Sequence, residues 1–331
     1  MNFNELKPAD ILLFSGAKDW MSQAIMLLTN SEVTHAALSY KHYHQIIEQT
    51  PPSIRIFEVD MSGESSERLR GRKIYVNRLK SSQTSMNPVI NAATLYLNNE
   101  TPYAKTNLYL LGLILIYKKW SPNLLVKQVI IKILKKLTAQ IIEYINKQKS
   151  PGKLPMVCSQ FVYQCYEDAG EDYNLILRKD SLLSRVFSVA RDNFSLLDRV
   201  TARLQNAPSP QFQRLTESQT NLAPENVPLQ TEEELAHELI DAMQSDDIQT
   251  SEALESELAL AVCEFGQAVY LAEGSEDNAK PMMIAETNQL SNELQIPPLL
   301  SFLKAKEAYF VTPEDLLNHC ENVTQVGIIE L

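Results

Sequence analysis

The 331-residue sequence predicts an α+β fold, in which a small antiparallel sheet packs on one central helix and two helical segments are inserted into that core. Short apolar segments separated by turn residues fill residues 9–79 and indicate strands. One helical pattern, from Val157 to Ala169, carries an apolar stripe suited to the centre of a core. Longer helical patterns at 107–149 and 231–272 differ from it in charge and indicate the insertions.

The predicted strands come early in the chain. They lie at residues 9–14, 33–40, 44–49, 53–60 and 73–79. Residues 19–29 have helical spacing, and a second helix is predicted at 87–99, with Asn87 as its cap and Pro88 in its first turn. The C-terminal sequence AYFVTPEDLLNHCENVTQVGIIEL predicts a strand, a turn, a short helix and a last strand.

Charge distinguishes the two insertions. Residues 108–149 hold eight lysines and one acidic residue, and they predict a basic amphipathic helix. Between residues 201 and 300 there are eighteen acidic residues and three basic ones, a local net charge of −15 in a chain whose total is −11. The predicted organisation is a core formed by 1–106, 151–200 and 305–331, a basic insertion at 107–150, and an acidic linker and helical insertion at 201–304.

Composition argues against several classes of protein. The charge distribution does not fit a general nucleic-acid binder, and the nine glycines form no phosphate-binding loop. The four scattered cysteines are predicted to be reduced, and neither Cys-x-x-Cys nor His-x-x-x-His spacing occurs, so no metal or other cofactor is predicted. No Sec signal is predicted, and the apolar run 108–117 is about half of a membrane span. The protein is predicted to be soluble or peripheral, and cytoplasmic.

Cys158 is the candidate nucleophile. Free cysteine is a common core residue, so its type alone indicates little. However, Pro155 ends the preceding segment, which predicts Cys158 at or near a helix N-terminus, where the helix dipole favours a thiolate. Phe161, Val162 and Cys165 continue the same face, and Cys165 is interpreted as core.

His35 is the candidate general base. The sequence has five histidines, of which His42, His44, His237 and His319 are predicted to be solvated. His35 differs because it lies in the half-buried strand 33–40. A strand histidine that faces a cysteine at a helix start is the expected base for a thiol nucleophile.

A third group should orient the imidazole, and strand pairing predicts Glu48. If residues 41–42 form a two-residue hairpin turn, Glu48 lies directly opposite His35, within reach of a hydrogen bond. A slip of one residue places Gln49 or Ile47 there instead. Lys-His is a poor turn pair, so Gln49 stays open as the rival of Glu48.

Six short segments carry a resemblance when they are taken in order. They are LKPADILLFSG (6–16), SEVTHAAL (31–38), IIEQTPPSIRIFEVD (46–60), TPYAK (101–105), CSQFVYQCYEDAG (158–170) and FVTPEDLL (310–317). Together they resemble the permuted branch of the papain-like, NlpC-type cysteine hydrolase superfamily, which includes relatives of lecithin:retinol acyltransferase. In that branch a circular permutation puts the histidine strand before the cysteine helix, as it is here.

The resemblance implies a circularly permuted papain-like core. It makes Cys158 the nucleophile, His35 the base, Glu48 the orienting group and Tyr103 part of the substrate pocket. The chain departs from the family pattern where Ala9 replaces the usual glycine before an aspartate. It departs again after Tyr103, where alanine replaces aspartate, and this second departure implies an altered pocket.

The activity predicted on this basis is hydrolysis of an amide, ester or thioester in a peptide, lipid or acyl-conjugate substrate. The alternative is a lipid acyltransferase or phospholipase-like enzyme that meets an anionic membrane through residues 108–149. That basic helix could instead pack on the core as a lid.

A third interpretation is a non-catalytic interaction module that binds a basic protein through the acidic helices at 231–272. Those helices could equally cover the basic insertion by charge complementarity. Large insertions on a small hydrolase core, without a Sec signal, also suggest a bacterial effector secreted into a host cell.

Overall fold

The computed structural model describes residues 1–50, 53–59, 69, 71–80, 85–98, 107–147, 156–178, 194–206, 230–245, 251–273, 298–307 and 310–330. The chain forms two compact units. The first comprises Met1–Ile114, Pro155–Arg185 and Tyr309–Leu331, and the second comprises Leu115–Leu154 and Val186–Ala308. The segments predicted as the core therefore lie mainly in the first unit, and most of both insertions lies in the second.

One antiparallel sheet organises the first unit. Its six described strands are β1 Ile11–Ser15, β2 Val33–Ser39, β3 Gln45–Thr50, β4 Ser53–Glu58, β5 Lys73–Leu79 and β6 Val323–Glu330. They lie side by side in the order β4-β3-β2-β1-β5-β6. The predicted α+β class and the five N-terminal strands are confirmed.

Ten helices accompany the sheet in the described part of the chain. They are α1 Trp20–Thr29, α2 Asn87–Asn98, α3 Asn107–Tyr117, α4 Leu124–Lys147, α5 Cys158–Glu167, α6 Leu196–Asn206, α7 Glu232–Met243, α8 Glu252–Glu273, α9 Pro298–Glu307 and α10 Pro313–Asn318. Capping side chains mark several starts: Asp19 accepts the Ser22 N–H at α1, and Thr231 forms a capping box at α7. Within the described residues, no helix is both long and apolar enough to span a membrane.

The C-terminal segment contains a correction. A strand was predicted at the start of this segment, which begins at residue 308, but the described residues 310–312 are not in a strand. Thr312 instead caps α10 in a capping box with Asp315, and Pro313 opens the helix. An N-cap residue has extended backbone without belonging to a strand, and Thr312 is such a residue. The apolar residues before it therefore do not indicate a strand.

Apolar side chains cover the sheet on both faces. On one face α5 contributes Phe161, Val162, Cys165 and Tyr166 to a core that includes Leu38 of β2. The other face packs against the N-terminal residues, in a cluster that includes Phe3, Leu6, Leu12 and Phe14. Burying such side chains stabilises the fold by about 1.5–3 kcal/mol each, and burial on both faces explains why these strands are apolar almost throughout.

The β2–β3 hairpin corrects the predicted register. Glu48 lies opposite Ala37 and not opposite His35. The turn is longer than the predicted two residues, because the Tyr40 N–H donates to the Gln45 carbonyl and residues 41–44 form the connection. The pairing is therefore displaced by two residues from the predicted one.

This displacement leaves the predicted face unchanged. Side chains alternate between the two faces of a strand, so a slip of two residues keeps Glu48 on the side of the sheet that carries His35. Gln49, the next residue on β3, points to the opposite side by the same alternation. The register thus favours Glu48 over its rival.

In the second unit the basic helix α4 is covered by the acidic helices α7 and α8. The stripe predicted to be apolar is buried at Val126, Ile130, Ile133, Leu134, Leu137 and Ile141. Three lysines of α4 pair with acidic side chains: Lys127 with Glu255, Lys132 with Glu238, and Lys135 with Glu257. These three lysines of the basic insertion are therefore bonded to the acidic helices, which matches the predicted charge complementarity.

Candidate active site

Cys158 is the first residue of α5. The residue before it, Val157, has extended backbone (φ −84°, ψ 160°) and provides no side-chain cap for the helix. The first N–H groups of α5 are thus not occupied by a capping side chain, and they favour negative charge at this end of the helix. A thiolate at Cys158 would supply that charge.

The start of α5 is held by a contact that sequence reasoning missed. The buried Ser159 hydroxyl donates to the Val311 carbonyl over 2.5 Å. Val311 directly precedes Thr312, the cap of α10. The C-terminal segment therefore fixes the helix end that carries Cys158, and no local pattern around the cysteine indicates this partner.

His35 enters the site from β2. Its ring packs on Phe14, which is opposite it on β1, with 5.5 Å between the ring centroids. Its Nε2 atom lies 2.7 Å from Glu48 Oε2. Glu48 thus occupies Nε2, and the Cys158 side chain also interacts with the His35 imidazole. The imidazole thus stands between a carboxylate and a sulfur.

The electrostatics of the site favour a charged imidazole. Burial alone would lower the pKa of His35, whose side chain is 17% exposed. The charge of the Cys158 sulfur and its hydrogen bond to His35 act in the opposite direction, as does Glu48, and together they raise the pKa of His35 from 6.5 to about 10. His35 is therefore protonated at neutral pH, so a positive charge lies beside the Cys158 sulfur.

Glu48 contacts two cationic groups through its two oxygens. Oε2 faces His35, whereas Oε1 accepts hydrogen bonds from Arg55 Nε at 2.9 Å and Arg55 Nη2 at 2.6 Å. Burial would raise the pKa of this carboxyl group, but the hydrogen bonds and charges of His35 and Arg55 lower it below 4.5. Glu48 is thus an ionised carboxylate although its side chain is only 3% exposed.

Sequence reasoning did not identify Arg55. It lies directly opposite Glu48 on β4. A signal for it exists in the sequence, because only Pro51 and Pro52 separate the two strands, and a two-residue connection pairs Thr50 with Ser53 and hence Glu48 with Arg55. Tyr103, the predicted pocket residue, lies outside the described residues.

One of the remaining histidine predictions is wrong. His319 was predicted to be solvated, but it is 1% exposed. His319 follows the last residue of α10. It is buried because the segment around Leu177 and Arg178 pairs with this end of the helix. The Arg178 N–H donates to the His319 carbonyl, and Leu177 forms a β-bridge with Cys320. That segment is about 140 residues away in sequence, so the pattern around His319 does not reveal it. His237 is exposed, as predicted.

No protein-family model matches the chain, and no curated protein matches it. Within the described residues there is also no group of three or more His, Cys, Asp or Glu side chains that could hold a metal ion.

The two shifted pKa values predict how stability depends on pH. The raised pKa of His35 means that its contribution to the free energy of unfolding is complete below pH 6.5 and is lost as the pH rises toward about 10. The lowered pKa of Glu48 means that its contribution is present above pH 4.5 and is lost as the pH falls through the folded-state pKa. We expect urea unfolding to show both losses in the wild type.

His35→Ala is the control for the alkaline loss. The difference in unfolding free energy between wild type and this variant should shrink above pH 6.5, by at most about 1.4 kcal/mol per pH unit. Cys158→Ala should make the loss smaller, because the sulfur is the group that raises the pKa of His35 most. A difference that stays constant from pH 6.5 to 10 would contradict a charged His35.

Proposed function

We propose that the chain is a cysteine hydrolase of the permuted papain-like type, in which Cys158 is the nucleophile, His35 the base and Glu48 the orienting group. The observation that carries this proposal is the contact of 2.7 Å between the Glu48 carboxylate and the His35 imidazole, which also interacts with Cys158 at the start of α5. The order of the segments, histidine strand before cysteine helix, supports the permuted arrangement. The antiparallel sheet packed on α5 is compatible with it.

The proposed reaction proceeds through an acyl-enzyme. The Cys158 thiolate attacks the carbonyl carbon of an amide, ester or thioester, and the Cys158 backbone N–H stabilises the resulting oxyanion. His35 donates its proton to the leaving amine, alcohol or thiol as the carbon–heteroatom bond breaks. Neutral His35 then takes a proton from water, and the water oxygen attacks the thioester carbonyl. The carbon–sulfur bond breaks, which releases the carboxylic acid and restores the Cys158 thiolate. An amine or alcohol in place of water makes the same enzyme an acyltransferase.

Selective labelling of Cys158 tests the proposal. Burial raises the pKa of the other three thiols, to about 12 for Cys263 and Cys320 and well above its ordinary value for Cys165. Iodoacetamide at about pH 6 should therefore alkylate Cys158 and leave the others unreacted. Acyl, peptide and ubiquitin-like electrophilic probes, compared side by side, should then identify the substrate class. Equal alkylation of all four cysteines, or of none, in the folded protein would contradict the assignment.

A specific observation favours a second candidate function. Cys158 has no exposed surface, and a thiol that no carbonyl reaches cannot be acylated. The alternative is a non-catalytic interaction module built on the same fold. Under this alternative Cys158 resists iodoacetamide in the folded protein and reacts only after unfolding. Action at a membrane and secretion into a host cell stay predictions from the sequence.

A further inference from the structure

We propose that Arg55 is a positioning residue. It binds Oε1 of Glu48 and thereby keeps Oε2 directed at His35 throughout the reaction. This role rests on the proposed function and deepens it. Arg55 acts through Glu48 and does not contact the substrate. It adds a fourth member to the site, at the edge strand of the sheet.

Among the described contacts, the two oxygens of Glu48 bond to different partners. Arg55 donates from Nε and from Nη2 to the same oxygen, Oε1, at 2.9 and 2.6 Å. Two donors on one oxygen restrict rotation of the carboxylate about its last torsion. Oε2 is then left to accept from His35 Nε2 at 2.7 Å. Fixing Nε2 as the donor nitrogen fixes which edge of the imidazole faces Cys158.

The charge of Arg55 becomes important when His35 gives up its proton. In the resting state Glu48 is next to two cations, the imidazolium and the guanidinium. Once His35 has protonated the leaving group, the imidazolium charge is gone. A guanidinium does not lose its proton at physiological pH, so Arg55 keeps the buried carboxylate ionised at that stage. Glu48 can then stabilise the imidazolium again when His35 takes a proton from water.

A second arginine, Arg72, makes its described hydrogen bond elsewhere. Arg72 interacts electrostatically with two acidic residues, Asp19 and Glu48. Its Nε atom donates to the Ser15 carbonyl at 2.7 Å, and its guanidinium lies over the Phe14 ring, 5.6 Å from the ring centroid. Arg72 thus supports the ring on which His35 packs, and it is Arg55 that bonds to the carboxylate.

The surroundings of Arg55 make it accessible to mutation. Its side chain is 40% exposed, and its guanidinium lies 5.6 Å from the Phe57 ring centroid on the same strand. Replacing it removes no buried apolar packing, so variants at this position should fold. Glu58 on the same strand pairs with Gln45 at an exposed position and provides a matched control that does not touch Glu48.

The experiment compares Arg55→Gln, Arg55→Lys and Glu58→Gln with the wild type in the full chain. Titration of the Glu48 carboxyl carbon by NMR measures its ionisation, and the rate of iodoacetamide alkylation against pH measures the reactivity of Cys158. We expect Arg55→Gln to raise the Glu48 midpoint by about one pH unit and to slow alkylation about tenfold. Arg55→Lys should restore most of the midpoint, because it keeps the charge, but less of the rate, because it lacks the paired donors. Glu58→Gln should match the wild type in both measurements.

Two contrary outcomes have different meanings. If Cys158 is reactive but Arg55→Gln leaves the titration midpoint of Glu48 unchanged, only the role of Arg55 is overturned. A wild-type Cys158 that does not react overturns the proposed function and the role of Arg55 with it.

Discussion

Replacing Cys158 or His35 with alanine should remove turnover of any substrate that the labelling experiment identifies. Without the sulfur no acyl-enzyme forms, so Cys158→Ala should fall to the uncatalysed background. His35→Ala loses both the cation beside the thiolate and the acid that protonates the leaving group, which should cost about 10²–10⁴-fold in kcat. Steady-state kinetics of both variants check this expectation.

The double variant gives a sharper result than either single one. Groups that act as one unit are strongly non-additive, so Cys158→Ala/His35→Ala should be no slower than Cys158→Ala alone. His237→Ala, at an exposed histidine, and Cys165→Ala, at a buried cysteine two turns farther along α5, are the matched controls. Cys165→Ala should lower stability without lowering the rate per folded molecule. Full activity in His35→Ala would remove the proposed base.

Glu48→Gln should have the second-largest effect, although it changes only one atom. The described partners of the two Glu48 oxygens are hydrogen-bond donors, Arg55 on Oε1 and His35 on Oε2. An amide has one acceptor oxygen and one NH₂ group, so in either orientation its NH₂ meets a donor. We expect kcat to fall about 10²–10⁴-fold, since loss of the orienting carboxylate in a serine protease triad costs about 10⁴-fold. Leaving a buried donor unsatisfied should also lower the unfolding free energy by about 1–3 kcal/mol.

Asp10→Asn separates these two effects. Asp10 is 1% exposed and accepts from Arg78 Nε and Nη2, both at 2.6 Å, so it is a second buried arginine–carboxylate pair in the same unit. Its loss should reduce stability and leave alkylation of Cys158 unchanged in the folded protein. If Asp10→Asn slowed alkylation as much as Glu48→Gln, a specific role for Glu48 would be contradicted.

Local sequence patterns located most elements of the structure. Strands β1 to β5 and the helices with capping signals, such as α7 after Thr231, occur where the sequence predicts them. The α+β class followed from these elements. Alternation along the strands also placed His35 and Glu48 on one face, and it did so although the predicted register was displaced by two residues. An error of one residue would have put Gln49 there.

The partners of these residues in space were harder to predict. The length of the β2–β3 turn depends on a backbone hydrogen bond from the Tyr40 N–H to the Gln45 carbonyl, which no residue type specifies. The contact of Ser159 with Val311 and the burial of His319 join segments about 140 residues or more apart. Such contacts depend on how the whole chain packs, because the energy of one distant pair is small beside the entropy of ordering the chain between them.

The sequence by itself determined the residue types of the site, the helix start at Cys158, the strand that carries His35 and the opposite charges of the two insertions. Only the tertiary structure decided that Glu48 reaches His35 diagonally, that Arg55 holds the other carboxylate oxygen, and that α4 pairs with α7 and α8. The physical reason is that periodicity and capping act within a few residues of the chain. A hydrogen-bonded charge network depends instead on distances and burial, which exist only after the sheet and its helices have packed.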